Sequence, residues 1–150
     1  MAILRGTYGK VQVATDTTTL VFVDVASRQN WTWDETNETY DTTVMGATRV
    51  RTSITTFYGA TATASGFWDD EDLAAAEGQG IVRDASISGN EIVVRIYPSA
   101  TAGSPTTGDE YYQMNCYVSG DNLNGGYDNA VQQSMTFVGS GAVTHGQHAP

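Results

Sequence analysis

The residue types that usually carry enzyme chemistry are scarce in this 150-residue chain. The only histidines, His145 and His148, stand close together near the C-terminus, and Cys116 is the single cysteine. A catalytic zinc site needs three protein ligands in a fixed cavity, and a nucleophilic site needs a histidine held against the nucleophile. We expect a mobile tail from Thr144, which can supply neither arrangement. The sequence therefore predicts no enzyme, no metal site and no cofactor.

An acidic run, Asp69 to Asp72, is the densest cluster of possible metal ligands. It precedes Leu73 to Glu77, which we predict to be a short helix ended by Gly78. Carboxylates at a helix start cap free amides and complement the helix dipole. The alternative is calcium, but the alternating oxygens, bend glycine and terminal glutamate of an EF-hand loop are absent. Helix capping is the favoured interpretation.

The charge balance argues against nucleic-acid recognition. Seventeen acidic residues face seven basic ones, giving a formal charge of −10, and Lys10 is the only lysine. Because affinity for DNA or RNA comes largely from cations that neutralise phosphates, sequence-specific binding is not expected. An acidic surface that merely aids solubility is the simpler alternative.

The elements that must position any site are predicted to be strands. One set of alternating residues carries three hydroxyls and a phenyl ring: Thr61, Thr63, Ser65 and Phe67. The set between them is Ala62, Ala64, Gly66 and Trp68. This two-residue period indicates a strand with one packed face and one hydroxyl face. Turn residues separate several such segments, which favours a β-sandwich or barrel in one domain. The other predicted strands are Val11 to Val13, Leu20 to Val25, a strand at Trp31 and Trp33, Ile81 to Ile87, Glu91 to Tyr97, Glu110 to Ser119 and Met135 to Val138. The first two are predicted to pair as a hairpin, and the two tryptophans are predicted to share one face of their strand.

Two further strand-like segments have little hydrophobic content. They are Glu35 to Thr43 and Arg49 to Thr56. An isolated two-stranded ribbon is marginal in water. We therefore expect this ribbon to be completed by flanking strands from another subunit. Ser99 to Asp109 and the glycine-rich Asn122 to Asn129 are predicted loops.

The sequence shows neither a signal peptide nor an apolar stretch long enough to span a membrane. With a single cysteine it also has no internal disulfide, and Cys116 is expected to be buried. We therefore expect folding in the cytoplasm.

Several segments, taken in order, resemble the major tail tube proteins of long-tailed, siphovirus-like bacteriophages. The resemblance covers most of the chain as a pattern of residue classes and spacings. The matching segments are Gly6 to Val11, Trp31 to Asp34, Tyr40 to Thr43, Ser65 to Asp69 before a short helix, Val93 to Pro98, Tyr117 to Gly120 and Met135 to Thr144.

The resemblance implies a mostly β fold: a tail-tube-like sandwich or barrel with one flanking helix. It also implies a long hairpin that completes a barrel between subunits. Residues 1–150 would be one tail tube domain, with 1–9 and 144–150 flexible or in contact between rings. The hairpin residues would be Thr39, Tyr40, Thr42, Arg49, Arg51 and Thr52; the channel-lining acids Glu35, Glu38 and Asp41; the inter-ring contacts Leu4, Arg5, Val44 and Met45.

The implied function is structural. Hexameric rings would stack into a tube in the virion tail, assembled in the host bacterial cytoplasm, and double-stranded DNA would pass through an acidic channel without specific binding. The implied partners are a tape-measure protein, a tail terminator and baseplate or tip proteins.

Two alternatives remain open from the sequence. A tail terminator or decoration protein is the nearer one. The other is a soluble carbohydrate-binding β-sandwich, because the rings of Trp31, Trp33, Trp68 and Tyr111 could stack on sugars.

Overall fold

The alternating segments form one antiparallel sheet in the computed structural model, which describes residues 9–15, 17–26, 28–44, 46, 51, 53–74, 76–98 and 105–149, with the side chains of 55–58 and 142 excepted. The strands are β1 (Lys10–Ala14), β2 (Val23–Asp24), β3 (Arg28–Asp41), β4 (Ser53–Phe67), β5 (Ile92–Tyr97), β6 (Glu110–Gly126) and β7 (Asn129–Gln147); the helix α1 spans Gly78–Ser88. The sheet order is β2-β1-β5-β6-β7-β4-β3. The β1–β2 and β3–β4 hairpins confirm two predicted pairings.

The hydrophobic core lies on one side of this sheet. Ala62 and Ala64 are fully buried, whereas Thr61 and Thr63 keep part of their surface exposed, so the predicted two-residue period is confirmed. The sheet also folds over itself, because the ring centroids of Trp33 on β3 and Tyr112 on β6 lie 5.8 Å apart although two strands separate them. The principal core side chains are Val11, Val13, Ile81, Val82, Ile92, Val94, Ile96, Met114, Cys116, Met135 and Phe137.

The helix begins where we predicted that it would end. Asp69 caps a 3-10 turn at Asp70–Asp72, accepting from the Glu71 amide at 3.0 Å, and α1 starts only at Gly78. The prediction of a strand at Ile81 to Ile87 is also wrong. Ile81, Val82 and Ala85 share one buried helical face, whereas Ile87 is 80% exposed.

Close backbone packing explains why glycine stands at this helix start. A Cβ atom on Gly78 would collide with the Asp24 carbonyl, and one on Gly80 would collide with the Ala74 carbonyl. The prediction that Gly78 ends a helix is therefore wrong: this glycine marks a site where two backbone segments touch.

Two segments that were predicted to be a loop and a mobile tail belong largely to β-strands in the structure. Most of Asn122 to Asn129 belongs to the strands of the long β6–β7 hairpin, which turns at Tyr127 and Asp128. The predicted mobile tail from Thr144 is wrong for 144–147, which continue β7 alongside the start of β6. His148 follows with backbone bonds to Asp109 at 2.7 Å and to Gly108 at 3.0 Å.

Buried polar side chains tie the helix start to the sheet. Gln79 is fully buried; its Oε1 accepts from the Asp69 amide, and its Nε2 donates to the carbonyls of Ala26 and Phe67, all at 3.1 Å. The carboxylate of Asp72 accepts from the Gln79 amide at 2.9 Å and from the Ala26 amide at 3.0 Å. Among the described residues, every buried side-chain nitrogen or oxygen has a partner.

A second polar group holds the start of β3. Arg28 donates to the Phe67 carbonyl at 2.6 Å and to Gln133 Oε1 at 3.1 Å, and Gln133 donates in turn to Asp121 at 2.8 Å. Burial lowers the pKa of Arg28, and Asp121 and Asp72 oppose that shift. Arg28 is therefore occupied by partners within its own chain.

Candidate functional site

The side of the sheet opposite the core carries a surface of hydroxyls and amides. Residues paired across neighbouring strands project to the same side, so the registers define its members. We call the polar residues of this surface the polar face: Thr32 and Asp34 on β3, Thr61, Thr63 and Ser65 on β4, Ser134 and Thr136 on β7, and Asn122 and Asn124 on β6. Val138 and Phe67 lie on the same side of the sheet. The side chains of the polar face also bond locally, as between the hydroxyls of Thr32 and Thr63.

No cation joins the polar face within the strands that form it. The segments 28–41, 53–67, 117–126 and 129–147 contain one basic residue apart from the histidines, Arg28. Its guanidinium turns to the buried side, toward Gln133. A surface with hydroxyls, amides and the Asp34 carboxylate offers a phosphate few favourable partners.

The polar face lies between two open strand edges. On one side, β3 is the last strand of the sheet. On the other, β5 pairs with β6 only at Tyr112 to Cys116, which leaves residues 117–126 of β6 without a further strand among the described residues. Exposed strand edges are templates for pairing with another chain. Hydrophobic side chains are exposed along and beyond this region: Tyr40, Ile54, Tyr117, Leu123, Tyr127 and Val138.

The predicted ribbon projects beyond the rest of the sheet. β4 pairs with β7 only from Thr61 to Phe67, so within the described part of the chain Ser53 to Ala60 has β3 as its one partner strand. Of the predicted hairpin residues, Thr39 and Tyr40 lie in β3, Thr42 directly follows it, and Arg51 is exposed shortly before β4. Arg49 and Thr52 lie outside the described residues. So do the predicted inter-ring residues Leu4, Arg5 and Met45, whereas Val44 is 71% exposed.

The three predicted channel acids do not share one side of β3. Strand alternation puts Glu38 on the side of Thr32 and Asp34, whereas Glu35 and Asp41 lie on the opposite side. Asp41 accepts from the Thr43 amide at 2.8 Å, and hydrogen bonds from Thr43 lower the pKa of its carboxyl. Asp41 therefore stays ionised to lower pH than an ordinary aspartate.

Glu35 instead belongs to an open pocket where the sheet folds over itself. The pocket has a volume of about 760 Å³. We call it the aromatic pocket; Trp31, Trp33, Glu35, Glu110, Tyr111, Tyr112 and His145 are among its lining residues. The Glu35 carboxylate lies 2.7 Å from His145 Nε2 and accepts from Trp33 Nε1 at 2.9 Å. Thus His145 helps to join β7 to β3.

The sequence predicts only part of this pocket. Three of the four candidate aromatic residues, Trp31, Trp33 and Tyr111, come together in the structure, but Trp68 is not among the lining residues. Glu110, Tyr112 and His145 were missed as members. The Tyr111-Tyr112 pair was the available signal, because adjacent strand residues present rings to both sides of a sheet.

Neither membrane-spanning nor metal-binding features were found in the described part of the chain. Its helix is too short and polar to cross a membrane. No three histidine, cysteine, aspartate or glutamate side chains there are grouped so as to hold a metal ion.

Comparison with solved structures defines the fold class. The chain is similar to a protein of the native gene transfer agent (GTA) virion, with a TM-score of 0.74, 14% identity, and coverage of 96% of this chain and 99% of that one. It is similar to a protein of the tail of an empty GTA particle with C6 symmetry, with a TM-score of 0.75, 14% identity, and coverage of 95% and 98%.

The SPP1 tail tube gives a TM-score of 0.76 at 13% identity, covering 99% of this chain and 81% of that one. The chain therefore has the tail tube fold, as its sequence pattern predicted. No protein-family model and no curated protein matches the sequence.

Proposed function

We propose that this chain is a structural tail tube protein whose copies form rings that stack into a tube. The observation that carries the proposal is the polar face: among the described residues it includes no cation and lies between two open strand edges. The tail tube fold supports it. A tube protein requires no catalytic chemistry and no cofactor.

Ring closure follows from the two open edges. If β3 of one copy pairs with residues 117–126 of β6 in the next, each contact joins two different surfaces, and repeated contacts close into a ring when the rotation permits. Closing the barrel removes the exposed edges. Six copies per ring is the expected number, because one structural neighbour is described with C6 symmetry.

In such a ring the polar face lines the bore. Double-stranded DNA would pass along hydroxyls, amides and carboxylates without binding, since few cations are present to neutralise its phosphates. Glu38 is the predicted channel acid on the same side as the polar face. Glu35 and Asp41 face the other side, so Glu38 is the acid that we retain for the channel wall.

The stacked rings would form part of a virion tail, assembled in the cytoplasm of the host bacterium. Val44, on the exposed side of the ribbon end, would contact the next ring together with Leu4, Arg5 and Met45. A tape-measure protein, a tail terminator and baseplate or tip proteins are the proposed partners. Similarity to a protein of the anti-feeding prophage baseplate, with a TM-score of 0.66 at 8% identity over 97% of both chains, is compatible with tail-type assembly.

Negative-stain microscopy of the purified chain tests the proposal. We expect rings or hollow tubes, with length increasing as protein concentration rises. A dispersed monomer at every salt and protein concentration would contradict it. In assembled tails, Glu38→Lys should permit tube formation and lower DNA delivery, because the added cation attracts phosphates; delivery at the unsubstituted level would remove Glu38 from the channel.

A carbohydrate-binding module is the second candidate, because Trp31, Trp33 and Tyr111 converge on the aromatic pocket. Sugar rings stack on such side chains. A monomer whose melting temperature rises with a sugar would favour this function over the tube.

A further inference from the structure

The aromatic pocket has the chemistry of a cation site. Trp31, Trp33 and Tyr112 supply ring surfaces, and Glu35 and Glu110 supply carboxylates. Aromatic faces attract guanidinium and ammonium groups, and nearby carboxylates add to that attraction. His145 bonds Glu35, which leaves Glu110 as an exposed carboxylate at the pocket wall.

The same protein already holds one arginine in this way. The Arg95 guanidinium lies 4.0 Å from the ring centroid of Phe22 and 3.9 Å from that of Tyr111. Gln113 Oε1 accepts from Arg95 Nε at 3.0 Å, so rings and an oxygen acceptor satisfy the cation together. Tyr111 also lines the aromatic pocket.

Among the described residues, one cation pairs with no other described residue. Lys10 pairs with Asp24 at 3.8 Å, and Arg83 pairs with Asp84 at 3.2 Å. Arg28 and Arg95 are held as described above. That leaves Arg51, which is exposed at the end of the projecting ribbon and makes no hydrogen bond or ion pair with a described residue.

Arg51 cannot fill the aromatic pocket of its own chain. Arg51 lies just before Ser53, which pairs with Asp41 at the far end of β3. The six steps along β3 from Glu35 to Asp41 span about 20 Å at the usual strand rise. An arginine side chain is much shorter than this distance, so an Arg51 bound in the pocket must come from a second copy.

We propose that Arg51 of one copy enters the aromatic pocket of a second copy, stacks on its rings and pairs with Glu110. The inference rests on the proposed tube, because the contact links copies of one chain. This contact would give a function to the ribbon end, which lies beyond the part of β4 that is paired on both sides. It also offsets repulsion between copies that each carry a formal charge of −10.

Charge reversal tests the contact through the critical concentration for assembly, measured by pelleting. Arg51→Glu and Glu110→Arg should each raise that concentration at least tenfold, and the double variant should restore it to within about threefold. Arg83→Glu is the control, because Arg83 is a partly exposed arginine that is occupied within its own chain by Asp84 and by the Leu73 carbonyl. Its critical concentration should stay within about twofold, and circular dichroism checks that every variant is folded.

Disulfide trapping supplies an independent measurement. Burial raises the pKa of the native Cys116 thiol to about 12, so this residue should not interfere. The double variant Arg51→Cys with Glu110→Cys should give a ladder of covalent oligomers when assembled and oxidised, whereas each single variant should give none beyond a dimer.

The outcomes separate the two proposals. Tubes that form without a ladder, and with a critical concentration unchanged by charge reversal, would overturn the Arg51 contact and leave the tube intact. Failure of the unsubstituted chain to assemble would reject the tube itself. If a sugar stabilises the protein and Trp33→Ala abolishes that effect while charge reversal has none, the pocket binds a sugar and the arginine contact is rejected.

Discussion

Adjacent proline substitutions on β3 can separate bonds within one copy from bonds between copies. β3 is the last strand, and Thr36 and Asn37 pair with Gly59 and Tyr58 of β4. In an antiparallel pair, successive residues alternate between bonding the partner and facing away from it. Thus either Thr36→Pro or Asn37→Pro removes a donor directed at β4, and the other removes a donor directed at the open edge. Both side chains are exposed, so little packing is lost.

We call the substitution that removes the donor directed at β4 the inward proline, and the other the outward proline. The inward proline should destabilise the dispersed protein. It leaves one β4 carbonyl without its donor, at a cost of about 1–3 kcal/mol. For a chain of this length the melting temperature should fall by roughly 2–12 °C. The outward proline should leave the melting temperature nearly unchanged. If β3 pairs with a neighbouring copy, however, loss of a similar free energy per contact should raise the critical concentration roughly 5- to 150-fold.

Differential scanning fluorimetry of dispersed protein and pelleting of assembled protein measure the two effects. Thr36→Ala and Asn37→Ala control for the loss of each side chain. One of the two proline variants should keep the melting temperature of the unsubstituted protein. If that variant also assembles at the same critical concentration as the unsubstituted protein, β3 does not pair between copies. This result would refute a barrel closed by strand pairing between copies.

Three further outcomes are expected. Gln79→Leu should lower the free energy of unfolding in urea by about 3 kcal/mol or more, because three backbone groups lose a buried partner, while Gln132→Leu on the exposed surface should change it little. Cys116 should resist thiol reagents at neutral pH until the chain unfolds, and stability should fall as pH rises from about 8.5 toward 12, where only the unfolded thiol ionises. Ser134→Lys tubes should retain double-stranded DNA at low salt and release it as salt rises, whereas Ser134→Gln tubes should not retain it.

Local patterns predicted the strands that carry the polar face. The alternation of Thr61, Thr63 and Ser65 with alanines fixed which side is packed, because strand side chains alternate regardless of what lies beyond them. The low hydrophobic content of residues 35–43 predicted a ribbon without a core of its own, and the predicted pairing of its two strands is confirmed. The resemblance to tail tube proteins rested on the same kind of signal.

The helix could not be placed from local sequence. Gly78 and Gly80 are typical helix-stop residues, but here they begin α1, because Asp24 and Ala74 approach their backbone too closely for a Cβ atom. Asp24 is distant in sequence, and no window around the glycines contains it.

By itself, the sequence determined the strand periods, the acidic balance and the scarcity of catalytic residues, since these are properties of neighbours along the chain or of composition. Only the tertiary structure decided that His145 bonds Glu35, that Trp31 and Trp33 share a pocket with Glu110, and that β3 and part of β6 are open edges among the described residues. Each of these depends on strand order and register, which bring together residues separated by much of the chain.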